Sequence, residues 1–191
     1  MAEFELALPP YLTETDKSKL LAQLKGFPTG NFYGTVFDSE PVQGDAWRGF
    51  AILDFETGER ESVVGLVVSN SCDIARANDP DPGQNILFTP ILKLDAYKQV
   101  LREQGHHDVY IENQLGLIRA QNIHRIFYLP ANGTVYPEMI ALLDGIRPQP
   151  LSSLMGATRY FTLSTYGWYV LLMKLSVHFT RMTDGVERTD R

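Results

Sequence analysis

The sequence predicts an α+β fold: a curved antiparallel sheet or small barrel with peripheral helices and a long apolar C-terminal helix. Two patterns carry this expectation. Between residues 32 and 92, short runs rich in β-branched and aromatic residues are separated by polar or Pro-containing turns, with no helical pattern between them to serve as the crossover a parallel sheet requires. After residue 164 the apolar residues recur instead at helical spacing.

Each element has its own signal. Thr13 to Lys25 reads as a first helix: Thr13 or Thr15 can cap it, Leu20, Leu21 and Leu24 share a face, and Gly26 follows its end. Strand character begins at Asn31. Phe32 to Phe37 precedes a turn at Pro41, and Trp47 to Phe55 and Ser62 to Val68 flank Glu56-Thr57-Gly58-Glu59, a connection suited to a hairpin. Two prolines and a glycine bar Asn78 to Asn85 from regular structure, so it reads as a surface loop before a strand at Ile86 to Leu92.

Asp95 can cap a helix reaching about Gln104, with Tyr97, Val100 and Leu101 on one face and Gly105 ending it. Asn113 to Gln121 fits a second, shorter helix, and Ile123 to Leu129 returns to strand. Val135 to Leu143 stays open, because Pro137 suits both an edge strand and a helix start. Ser164 or Thr165 opens the last helix, where Trp168, Leu171, Leu172, Leu175 and Phe179 lie at helical spacing. Tyr169, Val170, Met173 and Val177 make its other side apolar too, which predicts a helix buried or pressed against a partner. Its uninterrupted apolar run is eight residues, against the roughly 20 that a bilayer requires, so no membrane span is expected.

At 191 residues and 44% hydrophobic, the chain can bury a full core, and a single domain over residues 1–182 is expected, with a charged, disordered tail at 183–191. The single cysteine excludes an intrachain disulfide and a multi-thiolate zinc cluster. An acidic start without a basic or strongly apolar segment argues against a signal peptide and for a cytoplasmic setting. The net charge of −6 disfavours a broad nucleic-acid footprint, since phosphate binding depends on Lys and Arg; the scattered Arg119, Arg125, Arg147, Arg159 and Arg181 would be the source of any local basic groove.

The stretch Val63 to Ile74 concentrates the functional signal. An apolar strand runs into Ser69-Asn70-Ser71-Cys72-Asp73, a polar turn that holds the lone cysteine, and a strand end is where a scaffold presents binding or reactive groups.

Gln43-Gly44-Asp45-Ala46-Trp47, Gly58-Glu59-Arg60, Gly65-Leu66-Val67-Val68-Ser69-Asn70 and Ile86-Leu87-Phe88-Thr89-Pro90-Ile91 together resemble, in order and spacing, the SH3-like barrel of MazF/PemK-type toxins over about a quarter to a third of the chain. The resemblance implies an SH3-like small barrel carrying helices, and metal-independent RNA cleavage by an arginine and a threonine. At the arginine's position this chain has Val63 and Val64, Arg60 falls earlier, and Leu92 stands where the threonine would be. The Ser-Asn-Ser-Cys-Asp-Ile stretch, with Leu163-Ser164-Thr165-Tyr166-Gly167 and Lys174-Leu175-Ser176-Val177-His178-Phe179-Thr180-Arg181, also resembles bacterial proteins of mobile or defence-related gene sets.

Cys72 admits three readings. As a nucleophile it needs a base, from His106, His107, His124 or His178. As a zinc ligand it would need Asp73 and the His106-His107 pair, a set without standard spacing. As a small residue ending a strand it needs nothing. Asp73, Asp79 and Asp81 lack the ligand alternation of a calcium loop and read as turn formers. Neither metal nor cofactor is expected.

The reading that follows is a non-enzymatic protein-interaction or regulatory module, in a bacterial toxin-antitoxin or defence-related system, contacting a protein partner through Ser69, Asn70, Ser71, Cys72 and Asp73, and compatible with homo-oligomers. Two alternatives stay open: an endoribonuclease with catalytic residues relocated to Arg60, Ser69 and Asp73, and a Cys72-dependent hydrolase.

Overall fold

Asp54 builds the first turn of the sheet. Its carboxylate accepts the main-chain N–H groups of Glu56 (2.8 Å) and Thr57 (3.0 Å), which reverses the chain between β1 (Asp45–Leu53) and β2 (Arg60–Val67). Those bonds hold the Asp54 carboxyl below its ordinary range. The computed structural model describes residues 31–35, 40–75 and 83–180. The expected helix at 13–25, most of the Pro-rich loop and the tail at 183–191 lie outside the described residues.

The elements after the hairpin are α1 (Ser71–Ile74), β3 (Asn85–Lys93), α2 (Leu94–Glu103), α3 (Asp108–Arg119), β4 (Ile126–Leu129), β5 (Met139–Leu142), β6 (Arg147–Pro150), β7 (Arg159–Thr162) and α4 (Thr165–Thr180), with 3-10 turns at Leu143–Gly145 and Leu151–Leu154. The fold is mixed α+β. A seven-stranded sheet runs in the order β4-β5-β3-β2-β1-β7, with β6 also on β3, and every pairing is antiparallel. β3 serves three neighbours: its middle pairs β2, its first half β6 and its last residues β5. At Gly49, φ +102, a bulge shifts the β1–β2 register between Arg48 and Phe50 and bends β1.

Three apolar clusters follow from this arrangement. Trp47, Phe50, Val67, Ile86, Phe88 and Leu154 fill the space enclosed by β1, β2, β3 and the second 3-10 turn. α4 lays Val170, Leu171 and Leu175 against Val68, Phe127, Leu129 and Phe161. α2 and α3 cover β4 and β5, where Ile111, Leu115 and Ile118 meet Ile126 and Ile140.

Several expectations need correction. Phe32 to Phe37 is not a strand in its described part: Tyr33 makes one isolated bridge to Leu163. Asp95 is no cap, since it sits in the first turn of α2 behind Lys93. α3 begins at Asp108, not Asn113, and is longer than α2, at 12 residues against 10. Its Val109-Tyr110-Ile111 opening looks strand-like locally, but Ile111, Leu115 and Ile118 bury at helical spacing. In α4, Leu171 and Leu175 are buried, but Phe179 is 64% exposed because the helix outruns the sheet it packs on. Among the described residues no helix is long and apolar enough to cross a membrane.

The edge at β4 is closed by a side chain. The amide of Gln121, itself at φ 58, accepts from Tyr128 N (3.0 Å) and donates to Tyr128 O (2.7 Å), as a neighbouring strand would. Lys174 of α4 then donates to the main-chain carbonyls of Gln121 (2.9 Å) and Ile123 (2.6 Å), just past the end of α3. Burial pushes the Lys174 ammonium down to about 8 from its ordinary 10.5. The folded value lies below the unfolded one, so between them the unfolded chain binds a proton that the folded chain lacks, and stability rises with pH across that window.

The carbonyl bonds favour the ammonium, which holds the expected gain to about 1–2 kcal/mol. Urea titrations between about pH 8 and pH 10 should show this rise in the parent and its absence in Lys174→Met. An identical slope in both proteins would refute the assignment. Above about pH 10 the trend should reverse, because burial raises the Tyr33 and Tyr128 phenols and the unfolded tyrosines ionise first.

Candidate functional site

The Ser69–Asp73 turn is held by its own polar side chains. Ser69 Oγ accepts from Leu87 N (2.8 Å), which ties the end of β2 to β3. Asn70 occupies the N-cap of α1, its side-chain oxygen accepting from Cys72 N at 2.9 Å. Ser71 Oγ accepts from Gln43 N at 3.0 Å. Gln43 extends the brace: its amide donates to Val68 O (2.8 Å) and accepts from the Trp168 indole N–H (3.1 Å), joining the turn to α4. Asp73 uses its main chain, its N–H donating to Asn70 O (3.1 Å) and its carbonyl accepting from the Gln84 amide. Ser69, Asn70 and Ser71 are thereby committed to geometry, while the Cys72 and Asp73 side chains are exposed and Ile74 turns inward, 1% exposed.

A buried charge pair stands on the other side of Gln43. Asp45, fully buried, gathers on Oδ2 the Val42 N–H (3.0 Å), the Trp47 indole N–H (3.2 Å) and Arg159 Nε (2.9 Å). Arg159 also donates to Glu40 O (2.6 Å) and lays its guanidinium over the Trp47 ring, 4.7 Å from the centroid. The indole is thus fixed at its edge and on a face. Next to it lies a cavity of about 190 Å³, with Trp47, Ile74, Leu151, Leu154 and Ala157 in its walls, so the last residue of the turn helix is also a wall of the cavity.

The expected site residues divide between places. Ser69, Asn70, Ser71, Cys72 and Asp73 form one turn, but Arg60 starts β2 at its opposite end, roughly 23 Å of strand away at about 3.3 Å per residue. The relocated catalytic set of Arg60, Ser69 and Asp73 is therefore not assembled. Of the histidines, His106 stacks on Tyr110 beside the α2–α3 turn, and His124 stacks with His178 of α4. Among the described residues no group of three or more His, Cys, Asp or Glu could hold a metal ion.

Sequence reasoning missed Gln43 and Arg159 as parts of this region. Asp45 offered a signal, being a carboxylate two residues before Trp47 in a strand, which asks for a cationic partner if buried. Nothing local indicated that the partner stands 114 residues later. No protein-family model matches the chain, and no curated protein is found similar to it.

Proposed function

We propose that this chain is a non-enzymatic protein-interaction module on an SH3-like barrel, acting in the cytoplasm within a bacterial toxin-antitoxin or defence-related system, with the Ser69–Asp73 turn at its contact surface. The strand order β7-β1-β2-β3-β6, with the 3-10 turn at Leu151–Leu154 linking β6 to β7, supports the barrel. So does Gln149, whose amide reaches from β6 to accept from Ala51 N (2.9 Å) and donate to Gly49 O (3.3 Å) of β1. The observation that carries the binding reading is the division of labour in the turn. Three side chains lock the backbone, and Cys72 and Asp73 stand exposed on it beside a cavity walled by apolar side chains. A rigid, partly apolar patch with a carboxylate at its rim suits a basic partner, as does the net charge of −6.

The test uses the exposed, single cysteine. A fluorophore on Cys72 should change its emission when a co-expressed neighbouring gene product is added, and Asp73→Lys should weaken that binding by about tenfold. In parallel, parent, Cys72→Ala and Asp73→Ala are incubated with mixed single-stranded RNA, and none should cleave it. Cleavage by the parent that is lost in either variant would replace the binding reading with a catalytic one.

A further inference from the structure

We propose that the cavity beside Trp47 is a binding site for a small, uncharged, single-ring aromatic compound, an inference that does not depend on the protein-interaction reading. Size is the first argument. The volume is about 190 Å³, and apolar cavities of roughly 150 Å³ hold one benzene-sized molecule. The lining fits such a guest as well. The wall side chains are apolar and the polar hydrogen of Trp47 is already given to Asp45, so the polar part of the lining is main chain, which can meet a neutral hydroxyl but supplies no charge to hold an ionised guest. Behind the wall, the Arg159 guanidinium meets the Asp45 carboxylate at 2.9 Å.

The Trp47 wall is also rigid. Trp47 is 8% exposed and is pinned by Asp45 at its indole N–H and by Arg159 over its ring, so a ring entering the cavity meets an aromatic surface already in place, stacked or edge-on. Access is provided at Met155, a wall residue that is 76% exposed and whose unbranched side chain can move without disturbing the core.

The experiment uses the full chain carrying Trp168→Phe, which leaves Trp47 as its only tryptophan. Toluene and phenol are the probes. Each should change Trp47 emission saturably, with a Kd at or below about 1 mM, and raise the thermal midpoint. Ala157→Leu, which places a larger side chain in the cavity, should abolish both effects while keeping the circular dichroism of the parent. Nuclear Overhauser contacts from toluene protons to the Ile74 and Leu154 methyls should locate the ring in the parent, whether or not that variant folds. Absence of saturable change with both probes, contacts to methyl groups elsewhere, or binding that survives in folded Ala157→Leu would overturn the proposal.

Discussion

Asp45→Ala is expected to lower the unfolding free energy by about 3–5 kcal/mol, the usual consequence of removing one member of a buried ion pair. The substitution takes from Arg159, whose side chain is only 11% exposed, the carboxylate that its Nε meets at 2.9 Å. It also removes the acceptor of Val42 N and of the Trp47 indole, so the segment leading into β1 and the wall of the cavity lose their anchor together. Urea denaturation of the variant, followed by Trp emission, measures the loss. The double variant Asp45→Ala with Arg159→Met separates the causes, since it removes the guanidinium together with its Asp45 partner and should recover part of the stability. A loss below about 1 kcal/mol in the single variant would mean that the pair is not a structural keystone.

Gly65→Ala is the second large effect, expected to cost about 3 kcal/mol, at the upper end of what overpacking does. Gly65 lies in β2 between Trp47 of β1 and Pro90 of β3 in the pairing register. A Cβ built there falls closer than 3.0 Å to both the Phe50 and the Phe88 ring. The two rings are fully buried and stacked with centroids 4.1 Å apart, so neither can retreat without opening the cluster around it. Glycine is needed here for space rather than for backbone freedom, as its φ is not in the left-handed region. Thermal unfolding of Gly65→Ala beside Gly58→Ala gives the comparison, because a Cβ at Gly58 meets nothing within 4 Å and its cost comes from a φ of +74 alone. Equal or smaller loss at Gly65 would contradict the packing argument.

Much of the fold was legible. The hairpin strands, β3, α2 and the start of α4 lie within a few residues of where alternation, turn residues and helical spacing put them. Where reading failed, a local rule was overruled by a neighbour. β6 contains Pro148 and Pro150, which argue against a strand, yet it sits on β3, where only part of its main chain must pair. β7 has four residues, too few to show a period, and exists because β1 needs a partner on its outer side. Phe179 followed the helical spacing of Leu171 and Leu175 but lies past the surface that buries them.

The sequence by itself determined that this chain carries an antiparallel hairpin system, a long final helix and a polar turn at Ser69–Asp73, because each is written in spacings of two, three or four residues. It also placed the lone cysteine in that turn, as a small, half-buried residue ending the strand, whereas the structure exposes Cys72. Only the tertiary structure decided what surrounds that turn. It paired Asp45 with Arg159 from far along the chain, braced Ser71 through Gln43 against Trp168, left a cavity between Trp47 and the 3-10 turn at Leu151–Leu154, and sent Arg60 to the other end of its strand. Backbone preference and hydrophobic period act over one or two turns of chain, whereas these contacts join residues up to 125 positions apart and arise only when the sheet brings its strands together.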